Sequence, residues 1–378
     1  MSTGARSRLA DLAQRYWTRG APGRETPPEL LSGLFRLWLV ALFLKVLGAS
    51  WDVSWHFKWL RDDLAPPHLI NITGNAIVVA LVLFHGYTGY GTDRLGLRLM
   101  QWGAGIFFTA VPLDLINHRV NGLDITSWSV SHALLYLGTA VMIAGAIRAW
   151  WVDAPENRAR PVVLGLLWLF FLENVWFPNQ HQEYGVLSVA AWDRGSPYAE
   201  PILLQFAADQ IGKPSVDRDS LVAFSLPVPD WVYPVWACTA ALLVLAMARA
   251  MVGRRWTATL IAAGYVGFRA VLWPLLAGID FPPSAVPFFF VLAALGVDLA
   301  FLLPVPEWAR APIGSVLAIG LGYGAVALQG FVLVAPPVDY GSAVPAAILL
   351  AASWSAVVWL HQRRGWHVLP ARSPWPAS

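Results

Sequence analysis

A pattern of one aspartate and two histidines occurs twice in this sequence, each time between two long apolar runs. In the first copy Asp52 and His56 are four residues apart, and His68 follows after eleven intervening residues. Residues at positions i and i+4 share one face of a helix, so Asp52 and His56 are expected to point the same way. Pro66 and Pro67 stand directly before His68 and predict that a new helix begins there.

The second copy consists of Asp114, His118 and His132. Its aspartate and first histidine are again four residues apart, and thirteen residues separate the two histidines. Two imidazoles and one carboxylate form a ligand set that suits copper, iron or zinc, whereas magnesium and calcium prefer shells of oxygen alone. The sequence therefore predicts two transition-metal sites.

Each pair also has a structural explanation, because an aspartate and a histidine one turn apart often form a hydrogen bond at a helix end. The repetition favours the metal interpretation, since ionisable residues at membrane depth are costly and usually functional. Other polar residues are predicted to surround the metals without being their main ligands. These residues are Asp62, Asn71, Asp124, Glu173 and His181.

Three charged residues within the apolar runs are interpreted as structural. Lys45 lies seven residues before Asp52 on the same helix face and is expected to pair with Asp52 or with Glu173. Arg269 and Asp298 are expected to be each other's partners and to hold the C-terminal half together.

The elements that carry these residues follow from composition. Of the 378 residues, 57% are hydrophobic and only 13% are charged, about half the charged fraction of soluble domains. Apolar runs long enough to cross a bilayer occur about ten times, which predicts an all-α, polytopic integral membrane bundle. The predicted spans lie near residues 33–51, 68–87, 99–118, 131–149, 161–177, 231–249, 256–277, 285–304, 311–335 and 343–361.

The orientation is predicted from the basic residues, because short loops rich in Lys and Arg stay on the cytoplasmic side. Most of the 26 Lys and Arg fall in the N-terminal segment, the even-numbered loops and the C-terminal tail. Both termini are therefore expected in the cytoplasm, and both metal groups at the outer face of a bacterial-type inner membrane. The cytoplasmic arginines account for the net charge of +3, so no nucleic-acid partner is inferred. The lone Cys238 excludes a disulfide framework.

Five segments are predicted along the chain. Residues 1–30 form a cytoplasmic or interfacial segment, 31–177 a metal-binding half of five helices, and 178–230 an outer loop or lid with a short amphipathic helix. Residues 231–362 form a second half of five helices, and residues 363–378 form a cytoplasmic tail. The second half is almost uncharged, so the chemistry is expected in the first half.

The first copy reads D-x-x-W-H-x-x-x-x-R-D-x-x-x-P-P-H, which resembles a metal-binding segment of the copper membrane monooxygenases, the particulate methane and ammonia monooxygenases. In one membrane subunit of that family an Asp and two His hold copper, and Asp52, His56 and His68 match them. Arg61 and Asp62 match an Arg-Asp pair of the family. The connecting loop is one residue shorter in this chain.

A second copper site in the same subunit of that family uses an Asn and two His at the spacing of the second copy. His118 and His132 match the histidines, and Asp114 stands where the family has Asn. The added negative charge is expected to change metal affinity or redox potential. The resemblance spans residues 50–135. No cupredoxin-like domain is recognised in the sequence, and the last five predicted helices have no recognised counterpart in the family.

The resemblance implies a copper-dependent membrane oxidoreductase of the monooxygenase type, with iron or zinc as the second choice of metal. Such an enzyme would activate O2 near the outer membrane face and act on a small or lipophilic substrate. Electrons would come from a membrane quinol or a periplasmic donor. Partner subunits or a homo-oligomer are also implied, whereas methane or ammonia as the substrate is not.

Two other functions remain open from the residues alone. A di-iron oxygenase of the desaturase type would carry HxxxH or HxxHH boxes facing the cytoplasm, and this sequence has none. A membrane transition-metal transporter or metal-delivery protein would continue its ligands across the bilayer. The predicted ligands instead cluster at one face, which favours the oxidoreductase.

Overall fold

The computed structural model describes residues 14–60, 64–121 and 126–364, and every regular element in these ranges is a helix. The first half contains α1 (Pro28–His56), α2 (Pro66–Thr88), α3 (Arg94–Asn121), α4 (Val130–Asp153) and α5 (Ala159–Asp193). Two short helices follow, α6 (Pro201–Gln210) and α7 (Arg218–Ser225). The second half contains α8 (Val232–Val252), α9 (Thr257–Gly278), α10 (Phe289–Leu302), α11 (Glu307–Val332) and α12 (Ala343–Arg364).

Nine helices in the described ranges are long and apolar enough to cross a membrane, namely α1 to α5, α8, α9, α11 and α12. This agrees with the predicted multi-pass, all-α bundle. The eighth predicted span, near residues 285–304, forms only α10, a helix of 14 residues. At about 1.5 Å per residue α10 is ~21 Å long, shorter than the ~30 Å hydrocarbon core of a bilayer. Pro282, Pro283 and Pro287 delay its start, because proline lacks the amide hydrogen and disrupts a helix interior.

Helix α5 differs most from the prediction. It has 35 residues and continues through Pro178 to Asp193, although a helix end was predicted near residue 177. The polar residues that follow Pro178 suggested a loop, yet those from Asn179 to Tyr184 are buried. They remain helical because neighbouring helices supply hydrogen-bond partners, which a buried polar group requires. Helix α5 thereby contacts α1 and α4 of the first half and α8 and α9 of the second.

The predicted outer loop or lid, residues 178–230, is thus largely helical. It consists of the end of α5 followed by α6 and α7, and α6 confirms the short helix predicted within this segment. An apolar cluster joins α6 and α7 to the ends of α1 and α5. Its buried members include Val53, Phe57, Tyr184, Leu203 and Phe224. This packing makes the segment a cap on the bundle.

Two buried ion pairs involve the second half, one within it and one joining it to α5, and neither is the predicted one. Arg269 Nη1 lies 2.8 Å from Glu183 Oε2 on α5, and both side chains are fully buried. Asp298 pairs instead with Arg249, at 2.9 Å, and also accepts hydrogen bonds from the backbone and hydroxyl of Thr259. Arg269 is ten residues beyond Thr259 on the same helix, about 15 Å along its axis. The predicted Arg269–Asp298 pair is therefore wrong, because the two residues lie at different depths.

We expect Arg269→Met to lower the free energy of unfolding by about 3–5 kcal/mol, because it leaves the Glu183 carboxylate buried without its cation. Thermal unfolding in one detergent would measure this loss. Arg255→Met is the matched control, since Arg255 is exposed and its loss should change little. The double variant Arg269→Met/Glu183→Met should recover part of the loss. Equal unfolding temperatures for Arg269→Met and Arg255→Met would contradict a stabilising role for the pair.

Candidate metal centre

Asp52, His56 and His68 come together where α1 ends and α2 begins. Oδ1 of Asp52 lies 2.8 Å from Nε2 of His68 and 3.4 Å from Nε2 of His56. One ligand atom from each residue lies within 4.8 Å of the other two. Among the described residues, these three form the group of potential ligands whose atoms all lie within 4.8 Å of one another.

Local sequence explains how the trio is assembled. Asp52 and His56 lie one turn apart in the last turns of α1. Pro66 and Pro67 occupy the first positions of α2, where a missing amide hydrogen costs nothing, so His68 falls in the first turn. Gly48, one turn before Asp52, allows the two helices to touch. A Cβ atom there would lie 2.8 Å from the carbonyl oxygen of Pro67.

The buried oxygen of Asp52 indicates what the trio fits. Asp52 Oδ1 is inaccessible to solvent, and two imidazole nitrogens lie close to it. Ligand atoms bound at about 2.0–2.2 Å to one transition-metal ion lie roughly 3–3.5 Å from each other. The two measured distances are close to that range, so the residues fit a transition metal.

The second predicted group is described only in part. Oδ1 of Asp114 on α3 lies 3.9 Å from Nε2 of His132 on α4. Nδ1 of His132 lies 2.8 Å from the carbonyl oxygen of Thr126, to which it can donate, leaving a lone pair on Nε2 that faces the aspartate. His118 lies in α3, but its side chain is outside the described part of the structure. Asp62, Asp124 and Arg61 also lie outside the described residues.

Both groups face a single cavity of about 280 Å³. Its wall includes the first trio, Asp114 and His132, together with the predicted neighbours Asn71, Glu173 and His181. Helices α1 to α5 and the α6–α7 cap all contribute to it. The two predicted sites therefore share one chamber, a relation that spacing along the chain does not reveal.

The predicted neighbours differ in what they do there. His181 is buried, and its Nε2 lies 2.9 Å from the carbonyl oxygen of Phe224, so that nitrogen is engaged by the cap. Glu173 is buried and accepts a hydrogen bond from Gln180 at 3.2 Å. Asn71 accepts one from Asn75 at 3.4 Å.

Lys45 is hydrogen-bonded to an amide, and it interacts electrostatically with Glu173, one of its two predicted partners. Its Nζ donates to Oδ1 of Asn75 at 2.8 Å and lies 4.9 Å from the ring centre of Phe107. The described ion pairs give Lys45 no carboxylate within 4.0 Å. Sequence reasoning therefore missed Lys45 as a cavity residue. Its place on the same helix face as Asp52 was the available signal.

His85 is not a candidate ligand, because both of its ring nitrogens are used elsewhere. Its Nε2 accepts from the indole of Trp38 at 3.0 Å, and its Nδ1 lies 2.7 Å from the carbonyl oxygen of Tyr90. The ring is fully buried away from the cavity. This histidine is a packed and satisfied part of the core.

No known protein family, curated protein or solved structure matches this chain. The resemblance of residues 50–135 to the copper membrane monooxygenases thus stays a prediction.

We expect Gly48→Ala to weaken metal binding at the first trio by roughly 10–100-fold, the usual cost of disturbing groups that orient metal ligands. The added methyl would meet α2 beside His68 and shift that ligand away from Asp52. Gly33→Ala is the matched control on the same helix, because a Cβ there meets nothing within 4 Å. Copper titration of the purified variants gives the affinities. Equal affinities for the two variants would show that close α1–α2 packing does not position the ligands.

Proposed function

We propose that this protein is a copper-dependent integral membrane oxidoreductase, of the monooxygenase type, that activates O2 in the cavity. The observation that carries the proposal is the convergence of two imidazole nitrogens on one buried carboxylate oxygen. Bound copper would supply the one-electron redox chemistry that O2 activation requires. Asp52, His56 and His68 would hold one ion, and Asp114, His118 and His132 would hold a second.

The cavity wall supports a small or lipophilic substrate. Between its polar residues the wall is apolar, with Phe107, Phe170 and Phe177 among the lining side chains. These rings favour an apolar molecule that enters from the membrane. The rigid ends of α1 and α2 would hold the reacting groups in one geometry. The electron donor, a membrane quinol or a periplasmic protein, would act from outside the cavity, and partner subunits or further copies of the chain fit the same scheme.

Both termini in the cytoplasm require an even number of crossings, so the segment containing α10 has to cross as well. Two contacts support this orientation. Ser284, before α10, accepts a hydrogen bond from Arg269 near the end of α9, and Asp298, within α10, accepts one from Thr259 near the start of α9. The segment therefore returns to the depth at which α9 begins. The non-helical stretch at residues 281–287 would span the part of the membrane that α10 is too short to cross.

Labelling of single cysteines tests this orientation. In a Cys238→Ala background, Lys213→Cys in the cap should react with a membrane-impermeant maleimide in intact cells. Asn157→Cys, between α4 and α5, should react only after the membrane is opened. The reverse pattern would place the metal ligands on the cytoplasmic side and refute the proposed localisation in the outer half of an inner membrane.

Metal content decides between the proposed functions. Protein in lipid nanodiscs should contain copper, and His56→Ala and His132→Ala should each lose the ion of their own group, with His361→Ala as the control. Copper-loaded protein should consume O2 when a quinol is supplied. Bound copper without O2 consumption would favour a metal-delivery or transport protein. Absence of any transition metal after reconstitution with copper, iron and zinc would refute the oxidoreductase.

A further inference from the structure

Two ionisable residues in the cavity take no part in the proposed metal binding. Lys45 on α1 and Glu173 on α5 both line the wall. Lys45 precedes Asp52 by seven residues, which is about 10 Å along the helix axis toward the membrane interior. The cavity therefore extends from the metal ligands to a cation and a carboxyl group that lie deeper in the bundle.

Neither residue has an ion-pair partner among the described residues. Lys45 contacts an amide and an aromatic ring, and Glu173 contacts the amide of Gln180. The buried carboxylates Glu183 and Asp298, in contrast, lie within 2.9 Å of an arginine. An unpaired carboxylate at this depth is expensive. Glu173 thus lies in the cavity without an arginine that would hold it as a carboxylate.

The charged and titratable groups around Glu173 come from two other helices. Lys45 on α1 interacts electrostatically with Glu173, and so do Arg269 and Tyr265 on α9. Arg269 is occupied by Glu183, Tyr265 and Ser284. Lys45 is therefore the cation that can respond when Glu173 becomes charged.

We propose that Glu173 donates and accepts protons for the oxygen chemistry in the cavity, with Lys45 stabilising the carboxylate left behind. This inference rests on the proposed function. Monooxygenation inserts one oxygen atom of O2 into a substrate bond to hydrogen and releases the other as water, consuming two electrons and two protons. The quinol or periplasmic donor supplies the electrons. In the step assigned to Glu173, the carboxyl O–H bond breaks, the proton passes to an oxygen atom in the cavity, and the carboxylate later regains a proton from water.

Infrared spectroscopy on the metal-free protein tests the proton-carrying group without any turnover. The wild type should show a protonated carboxyl band that disappears as pH rises and is absent in Glu173→Gln. In Lys45→Met the pH midpoint of that band should shift upward, because loss of a nearby positive charge disfavours the carboxylate. Asp153→Asn removes a partly buried carboxyl outside the cavity and should leave the band in place. A Glu173 band that does not respond to pH or to Lys45→Met would overturn the inference.

Activity provides the second measurement. Glu173→Gln should lower O2 consumption by about 10²-fold or more, the usual contribution of a positioned acid or base. Its copper content should stay at the wild-type level, and Asp153→Asn should keep full activity. Wild-type activity in Glu173→Gln would overturn the inference while leaving the copper oxidoreductase intact. Wild-type protein that binds no copper would instead refute the proposed function, and a band that titrates and responds to Lys45→Met would still support Glu173 as the proton-exchanging group of the cavity.

Discussion

The ion pair between Glu183 and Arg269 is the interaction on which the rest of the architecture depends. Both side chains are buried, so every charge and polar hydrogen there has to find a partner inside the protein. Glu183 accepts from the indole of Trp176 and the hydroxyl of Tyr233, and Arg269 donates to Tyr265 and Ser284. These contacts draw the polar end of α5 into the bundle between its two halves.

The position of α5 then determines the shape of the cavity. Glu173, Asn174 and Phe177, on the preceding turns of the same helix, form part of its wall. The end of α5 supports α6 and α7, which cover the cavity from the other side. A cation of the second half, paired with an anion near the end of α5, thus stabilises the site that the first half provides.

On the opposite wall of the cavity, α1 and α2 pack closely against each other. A Cβ at Gly48 would meet α2, and a Cβ at Gly74 on α2 would lie 2.7 Å from the carbonyl oxygen of Ala41 on α1. Two helices in such contact hold their ends at a constant separation, so helix packing brings Asp52 and His68 together. The preorganised geometry that a metal site needs is present in the backbone itself.

The sequence by itself determined the all-α membrane class, most of the spans, and the trio at the α1–α2 junction. Long apolar runs and i,i+4 spacing are local properties of the sequence, so they can be recognised without knowing which helices pack together. Sequence reasoning ended α5 too early, overextended the eighth span, and paired Arg269 with Asp298 instead of Glu183. Each error concerns a polar or proline-containing segment whose state depends on partners distant in the chain. Only the tertiary structure decided that the two Asp/His groups share one cavity, and that Lys45 and Glu173 face it, because burial and charge pairing are set by which helices pack together.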